Sequence, residues 1–420
     1  MPWQRVFSLM ILSVNLGVDL MITKAADWLR IPLGPSDGVR TMVTGMLKRV
    51  QDEGDLVIDQ LALEFDNVKP TLITLKPFEE YNLDNELADS ILIAHKRIEA
   101  FAKFQLGGVK SHSYRDEYGT FGQNISAIEK IGAYIPGGRY PLISTALMTL
   151  IPAKVAGSKT RIACSPSVNP ALLAAASLAG ATRFIQLGGV QAIAALAYGY
   201  QNTPGVDLIV GPGNIWVNEA KKQLQCIVKI DGLAGPSELL ALCDGDQPLE
   251  WLALDALAQA EHDPFACSLI VSENQDWLCR LDRYLENNKQ FSNLVKANQI
   301  QLIKTESVEQ SIEFSESYAP EHLMLCHDGI EEKDLSNYGS LFVGANSAVA
   351  LGDYITGPNH TLPTLGSARQ TGGLSVNTFL RIQTIQKVND VGRKVLSKSA
   401  MPLAKAEGLM SHYESLKIRS

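Results

Sequence analysis

Apolar residues recur at spacings of three and four from Ser36 onward: Val39, Met42, Val43, Met46, Leu47 and Val50 form one stripe. Ser36 or Asp37 is its candidate N-cap and Gly54 its break, so the spacing predicts a helix there. Leu87, Ile91, Ala94, Ile98 and Phe101 keep the same period and predict a second long helix over Asp84–Gln105. After Gly132 the texture changes. Short β-rich runs at Gly132–Ile135, Arg161–Cys164, Arg183–Leu187, Asp207–Val210 and Cys226–Ile230 alternate with Ala-rich helical runs at Leu142–Ala156, Pro170–Ala179, Val190–Tyr198 and Ile215–Gln223. Such alternation predicts βαβ units and parallel sheets covered by helices. It resumes with a strand at Glu238–Leu242, a helix around Leu252–His262, a strand at Ser268–Val271 and units through Leu341–Val343, with Gly235 and Pro236 as the crossing. The expected architecture is therefore α/β, with two parallel-sheet lobes, a helical N-terminal part and a helical C-terminal tail from near Ser375.

The 420 residues are 46% hydrophobic and 20% charged, which is the profile of a compact globular chain with room for two or three domains. Thirty-seven Lys and Arg against 45 Asp and Glu leave a net charge of -8, so nothing basic is available to track a phosphate backbone, and nucleic acid is excluded as an expected partner. Six cysteines lie scattered without CxxC pairs, which fits free thiols in a reducing compartment and places the chain in the cytoplasm. One segment competes with that placement. Val6–Met21 follows Arg5 as an apolar run resembling an export signal, but Asn15, Gly17 and Asp19 interrupt it and no small-residue cleavage site follows. It is also short and polar for a membrane helix of about 20 residues; translation from Met21 is the alternative reading of the same stretch.

Candidate chemistry gathers late in the chain. Gln259 and His262, three apart on a predicted helix, leave one face and suit a single metal ion, although such a pair is also an ordinary helix end. Glu321 and His322 stand at the mouth of a predicted strand, His322–Leu325, where a carboxylate and an imidazole suit general acid and base work; a surface Glu beside a strand-edge His is the bland alternative. Asp353 and His360 share a Gly- and Pro-rich loop, and Glu407 and His412 sit five apart on a predicted tail helix. His95, His112 and His327 have no companions in the sequence. HExxH and GxGxxG are both absent. Instead, AYIPGG, QLGGVQ and IVGPGN follow predicted strands, and such glycine turns let a backbone approach a pyrophosphate or simply connect a strand to a helix.

Taken together, YIPGG, IPAKVAG, GGVQAIAALAYG, VGPGN, AGPSE, QAEH, APEHL, GDYITGPNH and EGLMSH make the chain resemble the zinc-dependent histidinol dehydrogenase family from about Arg40 to Arg419. That resemblance implies two related, incomplete Rossmann-like lobes and a domain-swapped homodimer whose active sites are shared. It implies oxidation of L-histidinol to L-histidine through the aldehyde, with two NAD molecules reduced in succession. One zinc per subunit would be held by Gln259, His262, Asp353 and, from the other subunit, His412. His322 would take the hydroxyl proton and Glu321 would activate water; Ser237, His360 and Glu407, with the zinc ligands, would meet substrate; Tyr134, Gln191 and Asn214 would meet NAD. The implied division is an N-terminal extension over 1–34, a zinc-bearing lobe over 35–130 plus 234–374, an NAD-binding lobe over 131–233, and a tail over 375–420 reaching the partner.

Three features depart from the family pattern. FAKFQ puts Ala102 where FHxxQ is usual, RYPLIST follows YIPGG, and GPNHTLPT continues into ARQTGGLSV. They resemble a related branch acting on sulfonated diols with the same zinc and NAD chemistry. A non-catalytic zinc- or nucleotide-binding protein on this fold is the reading from another class.

Overall fold

The computed structural model describes residues 22–30, 34–137, 141–261 and 263–420. Two compact units divide the described residues: those within 1–33, 236–350 and 362–372 form the first, and those within 34–235, 351–361 and 373–420 the second.

The first unit is built on a six-stranded, wholly parallel sheet in the order Ile22–Lys24, Ile300–Lys304, Cys267–Ser272, Glu238–Cys243, His322–Cys326, Ser340–Val343. Its strands are buried on both faces, which is why they read as continuous apolar runs. Leu239, Ala241 and Ile270 point to one face, under Leu252, Ala256, Trp277 and Leu281 of the helices Leu249–Ala260 and Gln275–Glu286. Leu240, Leu242 and Leu269 point to the other, under Tyr318 and Ile312 of the helix Val308–Tyr318. Successive strands run outward from Glu238–Cys243 on one side and return to its other side at His322–Cys326, so the strand order reverses between these two.

The second unit repeats the plan with the order Lys229–Ile230, Leu208–Val210, Lys130–Tyr134, Thr160–Ser165, Arg183–Gln186, Thr71–Ile73, where only the last strand is antiparallel. Alternate residues again serve opposite faces. Ile162, Cys164 and Ile185 meet Val43, Leu47, Ile58 and Leu61, while Ala163, Phe184 and Leu208 meet Ile91, Ile98, Leu147 and Leu172. The order reverses between Lys130–Tyr134 and Leu208–Val210. There the backbone closes up: a Cβ on Gly211 would lie 2.0 Å from the Tyr134 carbonyl oxygen, and Gly211 adopts φ +115°, so only glycine fits.

The helices Asp37–Glu53 and Asn85–Gly107 match the periodicity, with the Ser36 and Asp84 side chains accepting N–H groups of their first turns. The division of the chain departs from expectation. Residues 34–130 belong with 131–235 rather than with 234–374, because their apolar stripes complete the core of the second sheet. Within residues 22–30, expected as part of an extension, Ile22–Lys24 instead supplies the edge strand of the first sheet. The tail from 375 is not wholly helical either. Leu380–Val388 is a nine-residue strand, antiparallel to Gly119–Ala127, which pairs in turn with His112–Arg115; the helices Asp390–Ala406 and Met410–Lys417 follow. The strand Cys226–Ile230 shortens to Lys229–Ile230. The export-like run, Met21, Arg139, Tyr140 and His262 lie outside the described residues. Among the described residues no helix is long and apolar enough to cross a membrane.

A buried ion pair locks the glycine turn at the second switch point. Lys221 Nζ, on the helix Ile215–Leu224, lies 2.5 Å from Asp231 Oδ1 and donates to the Gly211 carbonyl at 2.9 Å, while Asp231 Oδ2 accepts the Gly211 N–H at 2.7 Å. The two side chains are 1% and 5% exposed. Breaking such a pair strands a buried charge, so Lys221→Met is expected to cost about 3–5 kcal/mol. Denaturant unfolding checks this, and an unchanged midpoint contradicts it.

Candidate active site

In the first unit the helix Val308–Tyr318 ends at Ala319, whose φ of 51° turns the chain, and Pro320 prevents the helix from continuing. Glu321 and His322 follow at once, with His322 opening its strand opposite Leu239. The pair therefore lies at the amino edge of the sheet. The carboxyl edge, where open α/β sheets usually take ligands and where the sequence reading placed the pair, is at the other end of the same strand. The adjacent chain fixes this corner: Gly339 and Ser340 donate their N–H groups to the Pro320 and Glu321 carbonyls at 2.9 Å. A Cβ at Gly339 would lie 2.5 Å from the Glu321 carbonyl oxygen, which demands glycine.

Both side chains are buried, Glu321 7% and His322 3% exposed, and one peptide serves them both. The Glu238 N–H donates to Glu321 Oε2 at 2.9 Å, and the Glu238 carbonyl oxygen lies 3.1 Å from His322 Nδ1. A carbonyl oxygen only accepts, so in the neutral imidazole Nδ1 carries the hydrogen and Nε2 holds the lone pair. In that tautomer Nε2 is the basic nitrogen of the ring. Glu321 Oε2 is 3.5 Å from Nδ1, and the imidazole tilts against Phe342 with ring centroids 5.9 Å apart.

Glu238 was not singled out from sequence, although it closes the AGPSE motif. Its carboxylate meets Arg30 Nη2 at 2.8 Å and the Leu365 N–H at 3.2 Å. Burial pushes that carboxyl up to about 7, against the pull of Arg30 and the hydrogen bonds. Ser237 precedes it and accepts the Cys267 N–H at 3.0 Å through its carbonyl. Gln259, one residue from the end of the helix Leu249–Ala260, buries its amide to 2% exposure in the same unit.

The second unit holds the remaining candidates. Tyr134 ends its strand beside the switch point, and its phenolic oxygen accepts the Gly189 N–H at 3.4 Å. Burial raises the phenol's pKa, so it stays protonated. Gln191, in the first turn of the helix Gly189–Tyr198, donates to Asp66 Oδ2 at 2.9 Å. Asn214 caps the helix Ile215–Leu224, accepting the Trp216 and Val217 N–H groups at 3.1 Å. These three gather at the carboxyl edge, where two helix N-termini present N–H groups and positive dipole ends.

Asp353 lies in the helix Val349–Tyr354, and its carbonyl oxygen is 2.7 Å from His360 Nδ1, while His360 Nε2 lies 3.2 Å from Thr145 Oγ1. Glu407 terminates the helix Asp390–Ala406 and His412 sits on Met410–Lys417, both exposed on the chain itself. His327, without companions in sequence, meets Glu273 Oε1 at 2.6 Å. All six cysteines are free; burial pushes the Cys267 thiol up to about 12 and Cys326 to about 11, away from thiolate chemistry. Among the described residues no group of three or more His, Cys, Asp or Glu is placed to hold a metal.

Ala102 belongs to packing. It is 2% exposed in an apolar cluster with Val376 and Leu380, and Gln105 of the same FAKFQ run accepts the Val376 N–H at 3.3 Å. The capping role of Asn214 gives a prediction independent of any cofactor. Asn214→Ala costs about 1 kcal/mol in urea unfolding of the cofactor-free protein, and an unmoved transition contradicts the role.

The histidinol dehydrogenase family model matches residues 34–420. A histidinol dehydrogenase of Thermus thermophilus is 40% identical over 400 residues, covering 91% of this chain and 94% of the relative. One from Methanothermobacter thermautotrophicus is 38% identical over 402 residues, covering 91% and 94%. The crystal structure of histidinol dehydrogenase from Elizabethkingia anophelis superimposes with a TM-score of 0.84 at 32% identity, covering 95% of this chain and 94% of that one. With a family match that spans nearly the whole chain, relatives near 40% identity and the shared fold, the protein belongs to the histidinol dehydrogenase family, which are NAD-dependent oxidoreductases.

Proposed function

We propose that the chain oxidises L-histidinol to L-histidine by way of the aldehyde, reducing two NAD molecules in turn. The observation that carries this reading is the Glu238 peptide, which orients a base and a carboxylate side by side in a chain of this family. In the first half-reaction His322 Nε2 takes the alcohol proton as a hydride leaves the carbinol carbon for nicotinamide. The second half-reaction needs water, and Glu321 accepts a proton from it as its oxygen adds to the aldehyde carbon; a second hydride then leaves. The sum is R–CH2OH with two NAD+ and one water giving R–COO−, two NADH and three protons.

The residues suit zinc. Gln259, His262 and Asp353, with His412 from a second copy of the chain, make a mixed nitrogen and oxygen donor set of the kind catalytic zinc takes, and Gln259 brings its amide already buried to 2% exposure. Zinc bound there supplies a Lewis acid that holds and orients the amino alcohol. Ser237, His360 and Glu407 are the further substrate contacts, the last reaching across a homodimer with shared sites. The NAD contacts are Tyr134, Gln191 and Asn214, supported by their place around the glycine turn and the helix N-termini. A cytoplasmic biosynthetic enzyme is the matching cellular role.

Zinc-loaded wild-type protein is expected to form two NADH per L-histidinol consumed. Glu321→Gln stops near one with aldehyde accumulating, and His322→Asn lowers kcat by about 10²–10⁴-fold. Unchanged stoichiometry and rate in both variants would contradict the acid–base roles, and no turnover by the wild type would send the search to other small polar alcohols.

A further inference from the structure

Arg30 lies before the residues that the family model matches and carries no motif, yet it is tied into the corner that holds the acid–base pair. Trp28 anchors its segment, donating Nε1–H to Gln301 Oε1 at 2.9 Å and meeting Phe314 and Tyr318 edge-on at 5.4 and 5.5 Å. Two residues on, the Arg30 guanidinium lies 3.9 Å over the Tyr318 ring. It donates Nη1–H to the Tyr318 carbonyl at 2.9 Å and Nη2–H to Glu238 Oε1 at 2.8 Å. Tyr318 closes the helix that leads into Glu321, and Glu238 owns the peptide that touches Glu321 and His322. One planar cation thus spans both chain segments that meet at the pair.

We propose that Arg30 is a positioning residue: by bridging Glu238 and the end of the helix Val308–Tyr318 it fixes the Glu238 peptide against Glu321 and His322. The planar guanidinium is suited to this because two donors in a fixed fork engage two acceptors while its face stacks on an aromatic ring. A lysine brings one point charge and cannot do all three. The Glu238 carboxylate, 6% exposed at its side chain, takes its balancing positive charge from that cation, while the backbone N–H groups of Leu365 and Glu321 supply neutral hydrogen bonds. Burial already pushes this carboxyl upward, so removing the cation leaves it to protonate and reorient. Because one peptide serves both side chains, both half-reactions suffer together.

The catalytic part of this inference rests on the acid–base roles proposed above, so its test reads activity and geometry separately. Arg30→Met and Arg30→Lys are compared with wild type in the zinc-loaded protein, with L-histidinol and with its aldehyde as separate substrates. Arg30→Met is expected to lower kcat by about 10–100-fold for both substrates, the range for losing a partner one shell out, with KM for NAD unchanged within a factor of about two. Added guanidinium ion restores part of the loss, and Arg30→Lys falls between the two. The geometric readout is hydrogen exchange at the Glu238 amide, expected to quicken by about tenfold in Arg30→Met, on the basis that its acceptor Glu321 is no longer held. Wild-type kcat in Arg30→Met, a loss without rescue by guanidinium, or an unchanged Glu238 amide each overturns the proposal. Should Arg30→Met fail to fold, Glu238→Gln decides: kcat lowered with KM for NAD unchanged supports the proposal, and full kcat overturns it. An inactive wild type removes the proposed function alone, and the exchange measurement still settles the positioning role.

Discussion

The peptide group at Glu238 has to satisfy three demands at the amino edge of one parallel sheet: it begins a central strand, it donates to Glu321, and it accepts from His322. Because a carbonyl can only accept, the last of these selects the tautomer and hence which imidazole nitrogen is basic. Much around the corner follows from keeping that peptide still. Gly339 is required for the close passage of the neighbouring chain, Pro320 ends the preceding helix one residue before the pair, and Arg30 neutralises the carboxylate that the same residue buries.

The second unit meets a different demand with similar parts. Its candidate cofactor residues gather at the carboxyl edge, where the strand order reverses and the Gly211 turn needs its shape held without a Cβ. Lys221 and Asp231 hold the turn from beneath by bonding both its N–H and its carbonyl. Pairing the two charges removes the cost of leaving either alone in the core, and the turn they grip leads into the helix that Asn214 caps. The residues proposed for acid–base chemistry thus lie at the amino edge of one sheet, and those proposed for dinucleotide recognition at the carboxyl edge of another.

Much of this was legible in the residues. Periodicity of three and four found the helices capped by Ser36 and Asp84, and β-rich runs between Ala-rich ones found most strands of both sheets within a residue or two. Glu321 and His322 stood out in the sequence because a carboxylate and an imidazole are adjacent in one motif, and the structure places both side chains against the Glu238 peptide. What escaped reading has physical reasons. In Leu380–Val388, Ile382, Ile385 and Val388 recur every third residue, a helical spacing, yet the segment is a strand fixed by antiparallel pairing with Gly119–Ala127. The attachment of residues 34–130 to the second sheet depends on which apolar faces meet, and a stripe does not name its partner. Glu238 acts through its backbone, which every residue has, and Arg30 acts across 208 positions on a carboxylate that no local pattern links to it. Ala102 departed from a family motif and proved to be a packing position.

The central claim is that the Glu238 carbonyl sets His322 as a base through Nε2. Nitrogen-15 NMR of ring-labelled histidine tests it most directly, on wild-type protein above the pH at which the imidazole is charged and with His322→Asn identifying the signal. The account predicts a neutral ring with hydrogen on Nδ1 and a pyridine-like Nε2. A ring with hydrogen on Nε2 would contradict it, because the nitrogen assigned to take the alcohol proton would already carry one.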